Sequence, residues 1–143
     1  YERAIKNLIN KYNLEENFIF CGSTNEVYKE LTNASIFAFP SIYEGFGLAL
    51  GEAMATGLPC IGLINCPAVN TLIKHNQNGL LCNNDPYEFS QALRKLMENR
   101  DLRIKLGSQA QKDISLYDPQ HIWQLWDEFL SKYSNLSQST ILN

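Results

Sequence analysis

The chain has 143 residues, 45% hydrophobic and 19% charged, with a formal net charge of -3. That is enough for one domain with a buried core, and the acidic balance excludes the broad positive footprint that nucleic acid requires. No apolar run approaches the ~20 residues needed to span a bilayer, and no signal peptide is visible; the chain opens at Tyr1 already inside a helical pattern, which reads as a piece of a longer protein.

In chain order, Tyr1, Ile5, Leu8, Ile9 and Tyr12 recur along one face of a first helix. A turn over Asn13–Asn17 leads to Phe18–Cys21, an apolar run that predicts a buried strand ending at Gly22. Ser23 and Glu26 have the spacing of a capping box for a helix to about Asn33, with Val27 and Leu31 inward.

The most informative stretch comes next, FPSIYEGFGLALGEAMATGLPCIG from Phe39 to Gly62. Ile36–Phe39 predicts a strand buried on both faces of a parallel sheet, closed by Pro40. Gly45 and Gly47 allow a sharp turn and a close backbone approach to a ligand. The helix from about Gly47 to Ala55 then points its free N–H groups outward from the carboxyl edge of the sheet, where an anionic phosphate is well held. Gly57 and Pro59 end the helix, and Pro59–Gly62 is the next strand. Glu44 precedes the helix and Glu52 lies inside it, eight positions on, so the two can flank one ligand. Carboxylates accept hydrogen bonds from vicinal hydroxyls, so one acid suits a ribose and the other a second sugar. Ala49, Gly51, Ala53, Met54 and Ala55 make this helix apolar nearly all round, which predicts that Glu52 is largely buried and partnered.

Pro40-Ser41, Glu44-Gly45-Phe46-Gly47-Leu48, Glu52-Ala53-Met54-Ala55, Gly57 and Pro59 together resemble the signature of the retaining family 4 glycosyltransferases of the GT-B fold, which use nucleotide-sugar donors. The resemblance extends from about Phe18 to Tyr133 and is specific around Ser41–Pro59. It implies that Glu44 contacts the donor sugar near the reacting centre. It implies also that the backbone of Gly45, Phe46, Gly47 and Leu48 meets the diphosphate and sugar, and that Glu52 binds the ribose hydroxyls. It places the loop Gly22–Thr24 near the nucleotide base; the residues themselves fit a plain strand-to-helix turn equally well. No cofactor and no metal are implied. The family's arginine and lysine on the diphosphate, and its acceptor-binding amino-terminal domain with a catalytic histidine, have no counterpart here. A glutamate common in the family aligns with Thr71.

Beyond the signature, Leu63–Ala68 predicts a loop on the same sheet edge, followed by a short helix over Val69–Lys74. Asn76–Gly79 turns into a strand Leu80–Cys82, with His75 beside it at the surface. Asp85, Pro86 and Glu88 are an N-cap, a first-turn proline and an N3 glutamate for a helix with Phe89, Leu93, Leu96 and Met97 inward. Leu102, Leu106, Ala110 and Ile114 form the stripe of a further helix, with Arg103, Lys105 and Lys112 toward solvent. Asp118-Pro119 starts the last helix, where Ile122, Trp126, Phe129, Leu130 and Tyr133 share a face widened by Trp123. Such an aromatic stripe reads first as internal packing and second as a docking face, since the closing helix of GT-B enzymes often crosses to the other domain. Ser134–Asn143 reads as a polar, frayed tail. Cys21, Cys60, Cys66 and Cys82 have neither zinc spacing nor a disulfide framework and read as small core hydrophobes.

Helices alternating with strands predict an α/β fold, a Rossmann-like parallel sheet flanked by helices, here the carboxyl-terminal half of a GT-B fold. The resemblance implies that residues 1–133 form a nucleotide-sugar donor-binding domain lacking its first strands. The function expected is transfer of a sugar from a nucleoside-diphosphate sugar to a hydroxyl of a glycan or lipid-linked acceptor, with retention of anomeric configuration. The missing amino-terminal domain would be a partner within the same chain. The expected location is the cytoplasm, with a peripheral position at the inner face of the membrane as its variant. The rival reading is a non-catalytic module that binds a nucleotide or sugar phosphate. A signalling receiver domain would need clustered aspartates that Ile36–Phe39 does not supply, and a sugar-phosphate phosphorylase or epimerase would rest on fold analogy alone.

Overall fold

The computed structural model describes residues 2–140, with side chains as far as residue 133. Three strands, β1 (Phe37–Phe39), β2 (Cys60–Leu63) and β3 (Gly79–Cys82), form a parallel sheet in the order β1-β2-β3, with Phe37 opposite Cys60 and Leu63 opposite Cys82. Around it lie α1 (Glu2–Lys11), α2 (Val27–Asn33), α3 (Leu48–Ala55), α4 (Pro67–Leu72), α5 (Pro86–Glu98), α6 (Arg100–Ile114) and α7 (Pro119–Thr140). β2 is buried at every position, as a central parallel strand covered on both faces must be.

Two apolar layers sandwich the sheet. On one face Leu50, Ala53 and Met54 of α3 pack with Val69 and Leu72 of α4, Ile73 and Ala110 of α6. On the other, Ile61, Leu63, Leu80 and Cys82 meet Leu96 of α5 and Leu106 of α6, with Phe89 and Leu93 at the margin. Helix α6 therefore serves both layers. Its seat on α3 is close: a Cβ at Gly107 would lie 2.0 Å from the Gly57 carbonyl oxygen. The amide of Gln111 also donates to the Ala55 carbonyl at 2.9 Å, satisfying an acceptor at the end of α3. A buried Asn78 donates to Asp113 of α6 at 2.7 Å and to the Leu72 carbonyl at 3.0 Å, while accepting from the Lys74 N–H at 2.7 Å.

The local signals hold in the centre of the chain. Asp85 accepts from the N–H groups of Tyr87 and Glu88, with Pro86 at the first helical position. Helix α4 begins two residues before Val69, because Pro67 presets the first helical φ, and ends as Ile73 turns extended. His75 is exposed, with its Nδ1 accepting from the Leu81 N–H at 2.9 Å.

Elsewhere the structure corrects the sequence reading. Phe18–Cys21 is not a strand: Phe18 has extended backbone (φ -122, ψ 130), but no strand pairs with the segment among the described residues. Phe18, Ile19 and Phe20 are 47–88% exposed. An apolar run becomes a strand through a neighbour's hydrogen bonds, so apolarity alone did not suffice. For the same reason β1 is half-buried rather than buried on both faces. The capping box of Ser23 and Glu26 does not form; Thr24 Oγ1 accepts from the Glu26 N–H at 3.0 Å, and α2 begins at Val27, which is exposed. On α1, Ile9 is buried while Ile5 and Leu8 are exposed, as is Tyr12 just past its end, and Tyr1 lies outside the described residues. Met97 faces solvent, whereas Arg103 is half-buried and donates to the carbonyls of Leu96 and Met97, closing the end of α5. Cys60, Cys66 and Cys82 are core residues and Cys21 is exposed.

The face of α7 does not pack inward. Trp123, Leu125, Trp126, Phe129, Leu130 and Tyr133 are 48–68% exposed, and their ring contacts are along the helix itself, Trp126 on Phe129 and Phe129 on Tyr133. The helix continues to Thr140 where a frayed tail was expected, and residues 141–143 lie outside the described residues.

Candidate functional site

Strand β1 delivers the chain to the carboxyl edge of the sheet, and residues 40–47 carry it over that edge into α3. Gly47 is the N-cap of α3 and sits in the left-handed region at φ 82, ψ 51. The first hydrogen bond of the helix runs from the Gly51 N–H to the Gly47 carbonyl at 3.0 Å. The N–H groups of Leu48, Ala49 and Leu50 therefore lie outside the helical ladder, at the positive end of the helix dipole. With no acidic side chain in the first turn to neutralise that end, it remains suited to an anion.

Glu44 is half-buried in the loop before this helix. The Ser41 hydroxyl lies 2.7 Å from Glu44 Oε1 and 3.1 Å from the Tyr43 carbonyl oxygen, so it helps to fix one carboxylate oxygen. Glu52 is exposed, which corrects the burial expected of it. The physical reason is that α3 buries one face through Leu50, Ala53 and Met54, and Glu52 lies on the opposite face with Leu48 and Ala55. An apolar composition did not make the helix buried all round.

Beside α3 lies an open cavity of about 470 Å³. Phe46, Leu48, Gly51, Glu52 and Ala55 line one side; Gln111, Ile114, Ser115, Tyr117, Asp118 and Pro119, from the junction of α6 and α7, line the other. Of the six residues singled out from the sequence, Phe46, Leu48 and Glu52 come together here, while Glu44, Gly45 and Gly47 form the adjoining loop rather than the cavity wall. The far wall was not foreseen as part of a site. Ile114 registered as one position of an apolar stripe and Asp118 as a helix start, and both are also that. Asp118 Oδ1 accepts from the Gln120 N–H at 2.9 Å. Nothing in the pattern of Gln111, Ser115 or Tyr117 would have marked them. Thr71 spends its hydroxyl on the Pro67 carbonyl at 3.0 Å, a helix-internal bond with no acidic character.

A left-handed glycine cap at a strand's carboxyl end and an open helix amino terminus, with Glu44 before it and Glu52 within the helix, make up the candidate site. Residues 1–113 match the family described as glycosyl transferases group 1. The chain belongs to that family. This group 1 chain is 32% identical over 130 residues to an uncharacterized glycosyltransferase of Haemophilus influenzae, covering 90% of itself and 37% of that protein. Over 93 residues it is 36% identical to the Escherichia coli UDP-Gal:alpha-D-GlcNAc-diphosphoundecaprenol alpha-1,3-galactosyltransferase, covering 64% of itself and 24% of that enzyme. It superposes on the crystal structure of Anabaena HepE in complex with UDP-glucose with a TM-score of 0.84, over 92% of this chain and 37% of that one, at 24% identity, a likeness of fold. That fold is the carboxyl-terminal domain of the GT-B glycosyltransferases. The chain thus spans between about a quarter and little more than a third of the length of these relatives.

Among the described residues no helix is long and apolar enough to cross a membrane.

Proposed function

We propose that this group 1 chain is the donor-binding domain of a retaining, family 4 glycosyltransferase, which moves a sugar from a nucleoside-diphosphate sugar to an acceptor hydroxyl. The observation that carries the reading is the left-handed Gly47 cap, which opens the amino terminus of α3 between Glu44 and Glu52. In this reading the free N–H groups of Leu48, Ala49 and Leu50 receive the diphosphate and stabilise the charge that grows on it as the glycosidic bond breaks. Glu44, preset by Ser41, orients the donor sugar and offsets positive charge at its anomeric carbon. Glu52 accepts from the ribose hydroxyls, a task its exposed position permits without any desolvated charge.

The acceptor belongs on a separate domain, and a glycan or lipid-linked hydroxyl is proposed, as the name of the Escherichia coli relative says of that enzyme. A cytoplasmic location, peripheral at the membrane where a lipid-linked acceptor would be, follows from the same proposal. No cofactor is called for.

The test is calorimetric titration of UDP, GDP, ADP and CMP, with their sugar conjugates, into the full-length protein and its variants. One diphosphate is expected to bind, and Glu52→Ala to weaken it at least tenfold, ~1.4 kcal/mol. Glu44→Ala is expected to lower turnover more than donor affinity. Retention is read from the anomeric configuration of the product by NMR; an inverted product refutes that part. A second reading, a non-catalytic nucleotide or sugar-phosphate module, draws on the lack of any lysine or arginine among the residues lining the cavity. It becomes the better account if nucleotide binds and no transfer to any acceptor or to water is detected.

A further inference from the structure

The loop from Glu44 to Gly47 has glycine on each side of Phe46, so its backbone is poorly restrained by its own sequence. Its Phe46 ring is nevertheless fixed. It meets Tyr117 edge-on, with ring centroids 5.3 Å apart and planes at 67°, and it lies over Gly51, where a Cβ would be 4.0 Å from Phe46 Cε1. Tyr117 ends the 3-10 turn Ser115–Tyr117 that joins α6 to α7, and that turn is closed by the Asp118 N–H on the Ser115 carbonyl at 3.0 Å. The turn inherits its position from α6, which is held on α3 by the Gly107–Gly57 backbone approach and the Gln111–Ala55 hydrogen bond, and on the α4–β3 turn by Asp113–Asn78. A rigid element thus reaches across the cavity to a soft loop by one ring pair.

We propose that Tyr117 is a positioning residue for the donor site, acting through Phe46 to hold the backbone of Gly45–Leu48 in its ligand-receiving shape. The inference rests on the donor-site reading above and adds to it a residue of the α6–α7 junction. Both rings are partly exposed, 41% for Phe46 and 39% for Tyr117, so the pair contributes little to a core. Its loss would be felt chiefly where the loop meets a ligand.

The experiment compares wild type, Tyr117→Ala, Tyr117→Phe and Phe46→Leu in the full-length protein. UDP and UDP-sugar affinity are measured by calorimetry, KM for donor and kcat by donor hydrolysis, and folding by thermal melting. Aromatic pairing of this kind corresponds to roughly three- to tenfold in an equilibrium constant. Tyr117→Ala and Phe46→Leu are each expected to weaken donor binding and raise donor KM by about that factor. Tyr117→Phe, which keeps the ring, should restore both to within about twofold. The double variant of Phe46→Leu and Tyr117→Ala should be no weaker than either single one, because both remove the same contact. Unchanged donor affinity in Tyr117→Ala, or in Phe46→Leu if the former does not fold, overturns the proposal, as does a lowered melting temperature with unmoved KM. If wild type itself binds no nucleotide, the donor-site reading fails instead, so the two failures are distinct.

Discussion

At Gly47 the backbone lies at φ 82, where an L side chain is strained, while the space itself is free: a Cβ would meet Leu50 and Leu72 at 3.7 and 3.9 Å, ordinary contact distances. The cost of Gly47→Ala is therefore conformational, about 1–2 kcal/mol of stability by urea denaturation. Nucleotide affinity should fall further than stability, since the strain is relieved by moving the N–H groups of α3. The four thiols separate in the same way by position. Exposed Cys21 should be alkylated at neutral pH in the native protein, and Cys60, Cys66 and Cys82 only after unfolding, as mass spectrometry of the labelled protein will report. Burial pushes the Cys60 thiol from its ordinary value of 9.0 up to about 12. Between those values the unfolded chain binds fewer protons than the native one, so stability should fall with rising pH. The contribution of this thiol is intact well below pH 9 and is lost progressively as pH rises above it. Single residues were legible where local chemistry decided them, as at Asp85 and Gly47. Glu52 was misjudged because its exposure depends on which face of α3 the sheet takes.

Between elements, the contact of α6 with the end of α3 sets the frame of the site. Gly107→Ala would drive a Cβ to 2.0 Å from the Gly57 carbonyl oxygen and 3.0 Å from its carbon, so the helices must part. A loss of about 3 kcal/mol is expected in denaturant titration. Gly51→Ala, one helical turn from Gly47, would meet Ile114 at 3.6 Å and should be nearly neutral or slightly stabilising, the control that separates close approach from mere glycine content. Strands β2 and β3, helix α3 and the capped α5 were readable from periodicity and turn chemistry. Phe18–Cys21 was not, because pairing is a property of two segments and periodicity describes one. The wall contributed by Ser115–Tyr117 was illegible for a related reason: it reaches the site through the path of α6, which no motif encodes.

Over the whole molecule, apolar side chains divide into two populations. One, drawn from β2, β3 and the inward faces of α3, α4, α5 and α6, closes around the sheet in two layers. Those of α7, with Ile5 and Leu8 of α1, Tyr12 just beyond it and the run Phe18–Phe20, are left exposed. The fold class followed from the alternation of helices and strands, since that is a property of the order of elements. Where the second population ends up is not in the order, and an inward-facing reading of α7 failed for that reason. The chain has two tryptophans, and both, Trp123 and Trp126, stand on that uncovered helix. The intrinsic fluorescence of this chain is thus a built-in optical probe of one surface. Its emission should be that of hydrated indole, nearly indifferent to events around Gly47, and a blue shift on adding any binding partner would signal that α7 itself had been covered.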